Sequence, residues 1–229
     1  LFCIVLFFLF TFCTPNLLVA QFITSSKALG TWNILHANYT YKRFYFFTEG
    51  QLRSLLFYQN FHYYEYKAGA NFKLNNSFKL GIGCGKFITY NGLNNFKSGL
   101  LVNEFRSWFQ LINTQEFPLF KLEYRYRAEL RFINTSVFQR YRFLIAIKYP
   151  ILVNSLKQKV SINASSELFF TNKAPYFQRF RNLGGVNLEI NPSVSLTAGF
   201  LHQFDYKIND EIGKNFLQLI LNYKILSKK

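Results

Sequence analysis

Residues 121–132 read KLEYRYRAELRF, in which Lys121, Glu123, Arg125, Arg127, Glu129 and Arg131 alternate without a break with Leu122, Tyr124, Tyr126, Ala128, Leu130 and Phe132. Successive side chains of a β-strand point to opposite faces, so as a strand this stretch has one charged face and one apolar face. Wound as a helix at about 100° per residue, the six charges would surround the axis and leave no apolar stripe. The segment is therefore a strand, and a strand with these faces needs a setting that is polar on one side and apolar on the other.

The same period recurs in HYYEYKAGANFKL, where Tyr64, Tyr66, Ala68, Ala70 and Phe72 oppose Glu65, Lys67, Asn71 and Lys73. Alternation predicts strands over 32–41, 44–55, 62–74, 78–90, 103–114, 119–132, 139–149, 158–170, 177–190, 193–205 and 215–225. Most exceed the usual soluble strand of about 5–6 residues and suit a tilted membrane crossing of about 9–11. The connections 42–43, 75–77, 115–118 and 191–192 are short, whereas 56–61, 91–102, 171–176 and 206–214 are longer; 150–157 breaks the alternation. Short turns on one rim and long loops on the other are the habit of outer-membrane barrels. The expected fold is an all-β, closed, antiparallel up-and-down transmembrane β-barrel. A bacterial barrel of this kind needs an even number of strands, and a short extra strand within 22–29 brings eleven to twelve; losing or merging one gives ten.

The apolar run ahead of Pro15, followed by Leu17-Leu18-Val19-Ala20, has the outline of an export signal cut after Ala20, and it is shorter than the roughly 20 residues a spanning helix needs. Residues 1–20 are thus set apart as a signal peptide and 21–229 as a single barrel domain. Cys3 and Cys13 fall in the leader, leaving Cys84 alone and excluding an internal disulfide in the remainder. The 29 Phe and 15 Tyr exceed what an ordinary soluble core needs and suit a wall facing lipid. The net charge of +16 favours anionic neighbours.

Alternation alone does not say which face is inside. In a bilayer the apolar faces meet lipid, since four cations of the 121–132 strand turned outward would each cost up to about 2–4 kcal/mol near the midplane. A soluble ligand-binding barrel would reverse the faces, but must then pack most of the aromatic rings inside one small barrel.

The segments GTWNILHANYTY (30–41), TEGQLRS (48–54), FHYYEYKAG (61–69), YRYRAELRF (124–132) and LHQFDYKINDE (201–211) together resemble the family called domain of unknown function 2490. The resemblance runs from about Gly30 to the C-terminus. The family is typified by secreted proteins of Bacteroidota, and the resemblance implies an outer-membrane barrel of the cell envelope. It implies no activity and supplies no functional residues.

With apolar faces outward, the polar residues expected in the lumen are Glu49, Arg53, Glu65, Lys67, Glu104, Arg106, Lys121, Glu123, Arg125, Arg127, Glu129, Arg131, Arg140, Arg142, Arg179 and Arg181. Rings of Arg and Lys favour anions, so one reading is a porin-like, anion-selective pore or a pocket for an acidic ligand. The other is a plug of paired charges filling a narrow, structural barrel.

Catalysis is not expected. A lipid hydrolase needs a Ser and a His within reach, no G-x-S-x-G elbow is present, and His202 and Asp205 fall on opposite faces of a strand. Neither cofactor nor metal is expected: Asp205, Asn209, Asp210 and Glu211 lack the spacing of a calcium loop. Gly81, Gly83 and Gly85 recur every second residue within a strand, which suits room for a neighbouring inward side chain rather than a phosphate loop. The cations are spread through many strands, unlike a nucleic-acid patch. Outer-membrane lipid, including lipopolysaccharide phosphates at the loop rim, is the expected partner of a monomer.

Overall fold

The computed structural model describes residues 28–92, 95–97, 99–152, 159–206 and 212–226. Eleven strands follow in order: β1 (Leu29–Tyr41), β2 (Phe44–Leu56), β3 (Gln59–Lys73), β4 (Phe78–Tyr90), β5 (Leu100–Glu116), β6 (Lys121–Ile133), β7 (Ser136–Leu152), β8 (Lys159–Thr171), β9 (Phe177–Asn191), β10 (Val194–Asp205) and β11 (Ile212–Ile225). Each pairs antiparallel with the next, and β1 pairs with β11 to close the barrel.

The expected twelve strands, all antiparallel, are corrected here to eleven with a parallel closure. An odd number of strands of alternating direction leaves the first and last running the same way, and their register from Leu29↔Asn215 to Tyr39↔Ile225 joins them in parallel. Closure satisfies the N–H and C=O groups that two free edges would expose. Of the stretch 22–29 considered for an extra strand, Leu29 opens β1; residues 22–27 lie outside the described residues, as does the leader 1–20.

The rims are also less unequal than the sequence implies. The connection expected over 56–61 is the two-residue turn Phe57–Tyr58, because Tyr58 and Asn60 take left-handed backbone conformations (φ 52° and 56°) that let the hairpin turn tightly. It shares its rim with the longer connections 91–99 and 172–176.

Inside and outside follow the two-residue period. On β6, Arg127 and Glu129 are buried while Tyr126, Ala128, Leu130 and Phe132 are exposed. The outward wall is apolar at mid-height, with Leu35, Ile82, Phe109, Val186 and Phe200 each about half exposed or more. Aromatic residues gather towards both rims: Phe61, Tyr64, Tyr90 and Phe96 cluster at the loop end, and Phe44, Phe46 and Phe72 at the turn end.

The glycines of β4 hold the interior together by making room. Gly83 faces Trp108 in register, and a Cβ there would enter the indole ring. Gly81 lies between Asn71 and Gln110, and over it Gln110 Nε2 donates to Asn71 Oδ1 at 2.6 Å, joining β3 to β5 across the intervening strand. A side chain at position 81 would occupy that path.

Candidate functional site

The interior is the site, and its walls are built by the charged faces of β2, β3 and β5–β9. Of the sixteen lumen residues expected from sequence, fifteen project inward. Glu49, Arg53, Glu65, Lys67, Glu104, Arg106, Glu123, Arg125, Arg127, Arg131, Arg140, Arg142, Arg179 and Arg181 line interior cavities, and Glu129 is buried between arginines. Lys121 is the exception. It shares the charged face of β6 but stands at the turn rim, half exposed, paired with Glu116 across the 117–120 turn.

The ion pairs run along the wall, and each carboxylate is shared. Glu104 accepts from both Arg106 (2.5 and 2.8 Å) and Arg131 (2.5 and 3.0 Å). Glu129 accepts from Arg140 and from Arg142 (2.7 Å), with Arg127 at 3.7 Å. Glu167 takes Arg142 (2.6 Å) and Arg125 (2.9 Å), with Arg181 at 3.9 Å. Glu65 takes Arg53 (3.2 Å), Lys67 (2.8 Å) and the Tyr63 hydroxyl, and Lys67 also reaches Glu49 (2.6 Å). Arg179 pairs with Asp205, which also accepts from Gln203 (2.7 Å).

Stacking carries the network across the lumen. The Arg53 guanidinium lies 3.4 Å from the Trp32 ring and 4.0 Å from the Tyr63 ring. Arg181, reaching in from β9, lies 4.8 Å from the same Trp32 ring and 4.7 Å from Phe169. Phe169, 1% exposed, also carries Arg142 at 4.6 Å, Arg140 at 5.4 Å and Arg179 at 5.8 Å. The chain Arg53–Trp32–Arg181–Phe169–Arg142 thus joins β2 to β7 through β1, β9 and β8. A cation over an aromatic face gains most where water is excluded.

This crossing divides the lumen into two chambers. One, of about 360 Å³, opens towards the loop end beside His62, Tyr90 and Asn91; the other, of about 540 Å³, opens towards the turn end beside His36, Tyr45 and Lys79. Trp32, Gln51, Lys67, Arg127, Arg142 and Arg181 border both and form the waist.

Sequence reading missed the aromatic half of this site and the shared acid Glu167 on β8. Trp32, Tyr63, Phe87, Trp108 and Phe169 are all buried within the barrel. Glu167 was legible from period alone, since Ser161, Asn163, Ser165, Glu167 and Phe169 share one face of β8, but its neighbours are only weakly polar.

The histidines are dispersed. His36 stacks on Phe47, His62 borders the loop-side chamber, and His202 lies with Nδ1 2.7 Å from Asn215 Oδ1. Of the residues considered for calcium, Asp205 serves Arg179 and Gln203, while Asn209, Asp210 and Glu211 lie outside the described residues.

A protein-family model described as a protein of unknown function (DUF2490) matches residues 29–213, ending at the start of β11. No curated protein matches the chain. Among solved structures, LpxR from Salmonella typhimurium is similar with a TM-score of 0.48 at 8% identity, over 79% of this chain and 84% of that one. A NanC porin solved in a rhombohedral crystal form is similar with a TM-score of 0.42 at 11% identity, over 82% of this chain and 95% of that one.

Proposed function

Since the chain belongs to the DUF2490 family, a membership that brings no activity with it, we propose from the geometry that it is a non-enzymatic outer-membrane barrel whose lumen is held nearly shut. The waist passes small ions at most, with a preference for anions. The observation that carries this reading is the division of the wall: apolar side chains stand exposed outward while a paired and stacked charge network fills the inside. Aromatic groups towards both rims, with an apolar band between them, are what two membrane–water interfaces favour. A barrel closed by its own first and last strands needs no partner for its edges, which supports a monomer. Lys97 and Lys173 at the loop end are exposed and supply charge for lipopolysaccharide phosphates.

Planar-bilayer recording of the purified protein tests the closure. The wild type is expected to show small, anion-preferring steps or none. Trp32→Ala removes the ring shared by Arg53 and Arg181, and single-channel conductance is expected to rise several-fold with the anion preference kept. Large steps in the wild type, or cation preference in either protein, contradict the reading.

A further inference from the structure

Charge is not balanced between the chambers. Leaving Lys214 aside, nine cationic side chains among the described residues border the loop-side chamber, against Glu65, Glu104 and Asp205. Crediting also Glu49, Glu129 and Glu167, the acids that pair with those cations from just behind, leaves a net excess of three positive charges among the described residues. The three bordering acids are already engaged: Glu65 by Arg53, Lys67 and Tyr63, Glu104 by two bidentate arginines, and Asp205 by Arg179 and Gln203. Unmatched guanidinium groups in a mostly enclosed, low-dielectric space are costly unless an anion joins them.

We propose that the loop-side chamber is a binding site for a small, multiply charged oxyanion, a phosphate- or carboxylate-bearing solute held by Arg106, Arg131, Arg179 and Arg181. Arg106 and Arg131 give Nε and Nη2 to Glu104, which leaves the Nη1 hydrogens of each guanidinium to meet an oxyanion in the chamber. A volume of about 360 Å³ holds a compact solute of that class. The chamber lies within the strands and opens at the loop end beside His62, Tyr90 and Asn91, where a ligand from water would enter.

The proposal rests on the anion preference inferred for the lumen, but not on the barrel's place in a membrane. Isothermal titration of the detergent-solubilised full chain at fixed ionic strength tests it, with inorganic pyrophosphate, citrate and dihexanoyl phosphatidic acid as probes. Saturable binding of pyrophosphate or citrate is expected, weakened about tenfold to a hundredfold by Arg179→Gln. Lys79→Gln, an equal change of charge in the turn-side chamber, should leave binding unchanged. Heat-modifiable gel mobility identifies folded protein, and Arg106→Gln replaces Arg179→Gln should the latter not fold. No saturable binding to the wild type, binding of phosphatidic acid alone, or equal losses in the chamber variant and Lys79→Gln would each overturn the proposal. Anion-preferring conductance without binding would sink this site and leave the functional reading intact; binding by a protein that inserts in no bilayer would do the reverse.

Discussion

Glu129→Ala is expected to destabilise the folded barrel by about 3–5 kcal/mol, the loss typical of removing one partner from a buried ion pair. Glu129 is 3% exposed, and its two oxygens hold Arg140 and Arg142 with Arg127 beside them. Without it, Arg140 loses the carboxylate that holds it and Arg127 is left with the Gln110 amide oxygen, while Arg142 keeps Glu167. A buried pair as a whole adds little net stability, because desolvation offsets attraction, so the effect reads as the penalty of stranding charge. Lys121→Ala removes a cation from the same face of the same strand, but its partner Glu116 is 74% exposed at the rim and the pair is screened by water. Urea titration followed by heat-modifiable mobility should separate the two variants widely. Equal midpoints would show that the network is not an interior one.

Ile82→Lys is expected to destabilise the barrel in liposomes by about 2–4 kcal/mol, as cations do on the lipid face near mid-depth. Ile82 is 64% exposed, lies opposite Ala70 and Phe109, and points away from the lumen. On a soluble protein, lysine at so exposed an apolar position would be neutral or favourable, so the sign of the change identifies the solvent. Ile82→Leu should leave stability in liposomes unchanged. If Ile82→Lys also leaves it unchanged, the outer wall does not face hydrocarbon.

The faces of the strands were legible in the sequence because a two-residue period survives any sheet topology. The 121–132 strand stated its charged face outright, and the glycines at 81, 83 and 85 announced inward neighbours, which are Asn71, Gln110, Trp108 and Lys67. Strand number and closure were not legible, because β1 alternates identically whether its partner runs parallel or antiparallel. Evenness was imported from other barrels and failed here. The lumen aromatics were hidden for a related reason. Trp108 and Phe169 look like lipid-facing residues by hydrophobicity, and only their parity with Arg106 and Gln110 on β5 and with Glu167 on β8 reveals that they turn inward beneath guanidinium groups. Lys121 was misplaced because parity fixes a face but not a height along the strand.

The central claim, that hydrocarbon surrounds this wall, is tested most directly at Cys84, which is exposed midway along β4. With Cys3 and Cys13 replaced by serine, a nitroxide attached to Cys84 in protein reconstituted into liposomes reports which relaxing agent reaches it. Collisions with dissolved oxygen are expected to far exceed those with a water-soluble nickel chelate, as for a label deep in the acyl chains. Readier collision with the nickel chelate would put Cys84 in water and contradict the membrane barrel.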